Sequence, residues 1–325
     1  MQQYKPFPLH PLLVGLFQSE LNLGSPEEAT IPANVRKGFD VMAAKIPPPD
    51  NVVRQDLRIS GGPSNVSVNI SVVHPKGSET KTLPAILFLH GGGWVFGSMH
   101  THGSLVHELA NQVPAVVIFV DYSPSPEARY PTALEECYAA LCWTVENAAH
   151  IRIDPKRISV AGDSAGGNLS AALCILAKER GNSAIKSQIL YYPVLGTNFD
   201  TESYIKFKDN NKVARHVMQY VWDAYAPLEE RREGKVAPCN ATAEQLSGLP
   251  PALIMTAEYD VLRDEAEQYA KQLIKAGVNA VPVRYIGVQH GFLTVPEFDK
   301  PQAQAAVAQT VEFLRKTWAA GTSNL

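Results

Sequence analysis

From Leu83 onward the chain alternates apolar runs of strand length with helical patterns, and no other feature narrows the fold as far. The runs are "AILFLH" (85–90), "AVVIFVDY" (115–122), "RISVAG" (157–162), "SQILYYPVL" (187–195), "PALIMTAE" (251–258) and "AVPVRYI" (280–286). A strand that is apolar at nearly every position is covered on both faces, which means a parallel sheet between two helical layers. The intervening helices carry their own boundary signals. "PTALEECYAALCWTVENAAHI" follows Pro131, a residue suited to a first turn. "NLSAALCILAKERG" runs into a basic last turn and Gly181, and "VLRDEAEQYAKQLIKAG" ends likewise at Gly277. Ahead of these, "NVVRQDLRIS" and "NVSVNISVVHP" alternate polar with apolar on either side of Gly61-Gly62-Pro63 and read as an antiparallel strand pair. The expectation is an α/β protein with a mostly parallel central sheet of about eight strands, flanked by helices.

Two intervals break the alternation. Residues 196–249 are far longer than an ordinary strand-to-strand connection, and they hold a helical stripe, "VARHVMQYVWDAYAP", then a charged run, "LEERREGK". Residues 1–50 are punctuated by proline, with one helix-like stretch, "EEATIPANVRKGFDVMAAKI". The chain therefore divides into a core domain, 51–195 and 250–325, and a helical cap region, 1–50 and 196–249.

Composition excludes several classes of function. The 325 residues are 45% apolar, and the net charge of −3 is spread over both signs. No basic stripe points to nucleic acid or to an anionic membrane, and stable membrane insertion is not expected. The apolar patch Leu12 to Phe17 is too short to span a bilayer, and with only Lys5 before it makes a poor secretion signal, so a cytoplasmic location is expected. The final "SNL" is only faintly similar to the peroxisomal S-K-L signal, since it lacks the basic middle residue. Cys137, Cys142, Cys174 and Cys239 match no zinc or C-x-x-C spacing and read as free thiols in a reducing compartment. N-x-S/T sequons at Asn65, Asn69, Asn168 and Asn240 carry little weight without a secretion signal.

The chemistry gathers at Gly162-Asp163-Ser164-Ala165-Gly166, a G-x-S-x-G pattern set directly between a strand and a helix. Serine is also a favoured helix N-cap, so the pattern alone leaves Ser164 open between a cap and a nucleophile. A nucleophilic serine needs a base, and in this architecture the order is serine, acid, histidine. Of the nine histidines only His216 and His290 follow Ser164. His216 lies in the inserted helix beside Arg215 and reads as structural, whereas His290, in "GVQHGF", follows the last apolar strand. Strand carboxyl ends are where an open α/β sheet carries its chemistry. The third member is expected to be Asp260, just past the strand "ALIMTAE", with Asp264 as the fallback. Glu258 sits nearer the strand end, Glu265 lies in the helix, and Asp163 is too close to Ser164 to reach the far side of His290. The loop "LHGGGWVFG" (89–97) offers the backbone N–H groups of Gly91, Gly92 and Gly93 to a developing oxyanion, with that of Ala165 completing the hole. It matches neither G-x-G-x-x-G nor a phosphate-binding P-loop. His90, at the strand end, is expected to hold this loop. Trp94, Tyr192, Phe199, Phe207, Met218 and Trp222 are candidates for an apolar acyl site, although each is equally what a core contains.

On His90-Gly91-Gly92-Gly93-Trp94, Gly162-Asp163-Ser164-Ala165-Gly166-Gly167, Asp260 within "DVLRDE", and His290-Gly291-Phe292, the chain resembles the hormone-sensitive lipase family of α/β-hydrolase esterases, in order and spacing over roughly residues 55 to 318. The resemblance implies an α/β-hydrolase fold with a helical cap and carboxylester hydrolysis with a preference for short to medium acyl chains. It implies Ser164, Asp260 and His290 as the triad, with the 91–93 glycines and Ala165 as the oxyanion hole. It also implies a homodimer paired through the last strand. One departure stands out: the family's D-Y-R-L-A-P-E reads Asp121-Tyr122-Ser123-Pro124-Ser125-Pro126-Glu127 here, so any salt bridge from that arginine is missing. The expected substrate is a small ester, and the chemistry calls for no metal or cofactor. Two other readings stay open, an amidase or deacetylase on the same scaffold and a non-enzymatic ligand receptor.

Overall fold

The computed structural model describes residues 31–43, 50–210, 213–294 and 300–320. Eight strands form one sheet: β1 (Val52–Gly61), β2 (Val66–Pro75), β3 (Leu83–Leu89), β4 (Val116–Asp121), β5 (Ile153–Asp163), β6 (Ile185–Tyr191), β7 (Ala252–Tyr259) and β8 (Ala280–Gln289). They lie in the order β1-β2-β4-β3-β5-β6-β7-β8. β2 runs antiparallel to both its neighbours, and every other pairing is parallel. The strand pair, the parallel sheet and the strand number all match the sequence expectation.

The near-continuous apolar strands are buried on both faces because successive side chains point to opposite sides. Leu87, Leu89, Ile118 and Val120 join one core cluster, with helices α3 (Thr132–Glu146), α4 (Ala165–Glu179) and α8 (Arg263–Lys275). Ile86, Phe88, Val117 and Phe119 join the other, with helices α2 (Met99–Gln112) and α9 (Pro301–Ala320). The sequence reading did not single out α2 or α9. α2 starts with a capping box in which Ser98 and Thr101 satisfy each other's backbone N–H groups. A threonine in place of the usual Glu or Gln at the third helical position hid that signal.

Residues 196–249 contain α5 (Glu202–Lys206), α6 (Arg215–Tyr225), two short 3-10 turns and α7 (Ala243–Leu246). Of the amino-terminal region, α1 (Pro32–Ala43) is described. The patch Leu12 to Phe17 and the terminal "SNL" lie outside the described residues. Cys137, Cys142, Cys174 and Cys239 are all free thiols. Asn168 is fully buried and donates to Val236 O (2.9 Å), so this sequon side chain is a tie between α4 and the inserted segment. Among the described residues no helix is long and apolar enough to cross a membrane.

The register brings the carboxyl ends of β3, β5 and β6 level, and β7 and β8 run on past them to Tyr259 and Gln289. Leu89 pairs with Gly162, Asp163 with Tyr191, and Tyr191 with Met255. The residues immediately after these ends are His90, Ser164, Tyr192, Asp260 and His290, for β3, β5, β6, β7 and β8 in turn. One end of the sheet thus presents His90, Ser164, Asp260 and His290.

Candidate active site

β5 delivers Ser164 into a sharp turn with φ +53° and ψ −117°, backbone strain that a non-glycine residue carries at a cost of about 1–3 kcal/mol. The turn is so tight that a Cβ at Gly166 would stand 1.9 Å from Leu89 O, and one at Gly162 would stand 2.3 Å from Gly166 O. Ser164 does occupy the N-cap position of α4, yet its side chain makes no capping hydrogen bond. Its Oγ lies 2.9 Å from His290 Nε2 instead. His290 Nδ1 lies 2.7 Å from Asp260 Oδ2, and the other Asp260 oxygen accepts the Leu262 N–H at 3.0 Å. An ionised carboxylate accepts only, so Nδ1 carries the ring proton of a neutral imidazole and Nε2 is left to accept from the serine hydroxyl. All three side chains are buried.

The other carboxylates near this point have different partners. The fallback, Asp264, accepts the Ser203 N–H (2.7 Å) and pairs with Arg263. Glu258 accepts the Gly287 N–H at 2.8 Å. Glu265 is fully buried, and its Oε1 accepts the N–H groups of Leu195 (2.7 Å) and Gly196 (3.1 Å). Burial raises its carboxyl to about 8 despite those two bonds. His216 sits on α6, half-buried.

The glycine loop after β3 lies beside Ser164. Its first member, Gly91, donates its N–H to Asp163 Oδ1 at 2.9 Å, so that amide is already committed. Among the described residues no partner engages the N–H groups of Gly92, Gly93 or Ala165. The loop folds on itself, with Val95 and Phe96 donating to Gly92 O at 3.1 and 2.8 Å. His90 Nδ1 meets Gly91 O at 2.8 Å, and its ring is stacked between Tyr122 (4.1 Å) and Phe119 (5.3 Å). Burial, then the neighbouring His102, lowers the His90 pKa to about 3, which keeps the ring neutral and leaves it a loop-holding role.

The expected pocket residues separate into groups. Tyr192 packs edge-on against His290 at 4.8 Å. Trp94 stacks flat on Tyr225 (4.2 Å) and lies 4.8 Å from Trp222, which brings α6 over the glycine loop. Met218 is buried in the same apolar cluster. Phe199 and Phe207 pack against Tyr204 and Tyr259, at 5.4 and 5.9 Å. Ser123, at the position of the family's arginine, donates both its N–H and its hydroxyl to Glu136, each at 2.6 Å.

Three further groups brace the site and were not singled out from the sequence. Arg36 of α1 donates to Val95 O (2.9 Å) and pairs with Glu127. Asp40 of α1 accepts the Ser98 hydroxyl at 2.6 Å. His102 faces Asp163 (3.3 Å). Arg36 and Val95 are 59 residues apart in sequence, and no local pattern announces such a tie.

A family model described as the alpha/beta hydrolase fold matches residues 86–294. The chain is 38% identical over 213 residues to the carboxylesterase NlhH of Mycobacterium tuberculosis, covering 65% of this chain and 67% of that protein. It is 32% identical over 275 residues to an esterase of Gibberella moniliformis, covering 83% and 85%. Among solved structures, a fungal esterase from Rhizomucor miehei superposes with a TM-score of 0.87 at 38% identity, covering 99% of this chain and 100% of that one. A thermostable esterase from Pseudomonas putida gives a TM-score of 0.85 at 36% identity over 97% and 99%.

Proposed function

The chain belongs to the α/β-hydrolase-fold family, and from that premise we propose that it is a serine carboxylesterase acting on short- to medium-chain esters through Ser164, His290 and Asp260. The observation that carries the reading is the unbroken relay from Ser164 Oγ to His290 Nε2 and from His290 Nδ1 to Asp260 Oδ2, beside three unengaged amides. The named relatives are carboxylesterases and esterases, which agrees with carboxylic ester hydrolysis and with the hormone-sensitive lipase resemblance of the motifs.

In the mechanism, His290 Nε2 takes the Ser164 proton as Oγ attacks the ester carbonyl carbon. The negative charge that develops on the carbonyl oxygen is received by the N–H groups of Gly92, Gly93 and Ala165. Asp260 holds the ring tautomer and stabilises the imidazolium. The tetrahedral species collapses, the C–O bond to the alcohol breaks, and the alcohol departs with the proton from His290. Water then gives a proton to His290 and attacks the acyl-enzyme, and the carboxylic acid leaves as Ser164 recovers its hydrogen.

In this reading α1 and residues 196–249 form a cap that limits the acyl chain, supported by the stacking of Trp94 beneath Trp222 and Tyr225. A homodimer paired through β8 belongs to the same reading, supported by the edge position of that strand and the exposure of Val281 and Ile286. A fluorophosphonate probe tests the nucleophile. Labelling confined to Ser164, and abolished along with turnover of a p-nitrophenyl ester in Ser164→Ala, is the expected result. An unlabelled native protein, or a Ser164→Ala variant that still turns over, rejects the assignment.

A further inference from the structure

We propose that His102 and Asp163 are a positioning pair that fixes the glycine loop against the nucleophile turn. The proposal rests on the reading of that loop as the oxyanion hole. Asp163 directly precedes Ser164 but takes no part in the relay of Ser164, His290 and Asp260. Asp163 is 3% exposed. One of its oxygens accepts the Gly91 N–H at 2.9 Å, at the start of the loop. His102 Nε2 lies 3.3 Å from the same carboxylate, and His102 Nδ1 lies 3.3 Å from Ser98 O, where the loop ends. Thr101 Oγ1 is also within 2.8 Å of Nδ1. A single buried carboxylate therefore reaches both ends of the loop, one directly and one through an imidazole. The fit leaves no slack, since a Cβ at Gly91 would stand 2.3 Å from Asp163 Oδ2.

Charge makes the pair more than a packing contact. A buried carboxylate needs a compensating cation or full hydrogen bonding. His90 faces His102 at 5.6 Å from the end of β3, but its own burial holds it neutral. Phe88, also on β3, supplies only an apolar ring at 6.4 Å. Ser98 and Thr101 contribute oxygen atoms from the start of α2. His102 is thus the group left to balance Asp163. Burial disfavours its charged form, but the Asp163 carboxylate outweighs burial and its pKa rises above the ordinary histidine value. The same pairing holds the Asp163 carboxyl below its ordinary value against the opposing effect of burial. When His102 loses its proton as pH rises past its raised pKa, Asp163 keeps its charge without a counterion. The Gly91 anchor then weakens, and Gly92 and Gly93 lose their fixed aim.

The test begins with the native protein, whose turnover and fluorophosphonate labelling establish the underlying reading independently. His102→Gln and Asp163→Asn are then assayed for kcat, KM and inhibition by a trifluoromethyl ketone, which forms a tetrahedral adduct on the serine. Because loosening donors is a milder change than deleting one, kcat is expected to fall roughly 10- to 100-fold with KM within about twofold. Affinity for the ketone should fall in step. The alkaline limb that this pair gives the native pH profile should disappear in Asp163→Asn, which has no carboxylate to leave without a counterion. Variants that fold yet keep native kcat, ketone affinity and alkaline limb overturn the proposal while leaving the esterase reading intact. If neither variant folds, nitrogen NMR of the native imidazoles decides. A doubly protonated His102 ring at neutral pH supports the pair, and a neutral ring overturns it.

Discussion

Asp260 grips the His290 ring with one carboxylate oxygen, 2.7 Å from Nδ1, and anchors the other on the Leu262 N–H at 3.0 Å. The second bond aims the first, because it fixes the plane of the carboxylate at the end of β7. Asp260→Asn keeps the shape but favours the wrong imidazole tautomer, so kcat should fall by roughly 10⁴-fold in a folded protein. Asp264→Asn, which disturbs only the bond to Ser203 and the pair with Arg263, should keep kcat within about tenfold of native, since neither contact belongs to the relay. Steady-state assays of both variants, with circular dichroism to check folding, distinguish the two aspartates.

The nucleophile turn predicts a severe backbone effect. A methyl group at Gly166 would stand 1.9 Å from Leu89 O, and that oxygen belongs to a central strand that cannot retreat. Gly166→Ala should destabilise by about 3 kcal/mol or more, at the upper end of overpacking effects. Chemical denaturation of Gly166→Ala measures it. A native-like midpoint would mean that β3 and the turn separate more easily than their geometry indicates.

The legibility of this protein divides by distance along the chain. The sheet and helices α3, α4 and α8 could be read because their apolar period and boundaries are local signals. Ser164 and His290 could be read because the turn glycines are local and the order of groups is fixed by the strand order. What escaped depends on tertiary placement. Nothing near Arg36 says that it will reach Val95, and nothing near His102 says that it will meet Asp163. Gly91 looked equivalent to Gly92 and Gly93 as a donor until its N–H was seen bound to Asp163. The aromatic residues were ambiguous for the same reason. Tyr192 and Phe207 were both candidates for the acyl site, but of the two only Tyr192 packs against His290.

Glu265 gives the protein a pH-dependent stability of unusual sign. Burial raises its carboxyl from 4.5 to about 8 in the folded state. The unfolded chain therefore releases this proton at a lower pH than the folded one. Across the window from about pH 4.5 to about pH 8 the folded state binds the extra proton, so stability contributed by this group falls as pH rises, by at most about 1.4 kcal/mol per pH unit. Above the folded pKa the contribution is flat. Glu265→Gln can still accept from Leu195 and Gly196 but has no proton to lose, so its denaturation midpoint should lose this slope. Urea titrations of both proteins between about pH 5 and about pH 9 read the difference, and parallel slopes would show that Glu265 does not titrate in this window.

The inserted helix should set acyl length. Val221 of α6 would stand 2.7 Å from a Cβ at Gly93, and Trp222 and Tyr225 close on Trp94 from the same helix. The wall packs directly on the glycine loop at Gly93 and Trp94, so a long acyl chain entering there has to displace packed aromatic rings. In the native protein kcat/KM should peak at short to medium p-nitrophenyl esters and drop toward palmitoyl. Trp222→Ala should cost about 3–5 kcal/mol of stability, as large-to-small changes in a buried site do, and should move the optimum to longer chains by opening the wall. A native optimum at palmitoyl would remove the cap from its assigned role. An unchanged optimum in a folded Trp222→Ala variant would place the limiting wall elsewhere in the site.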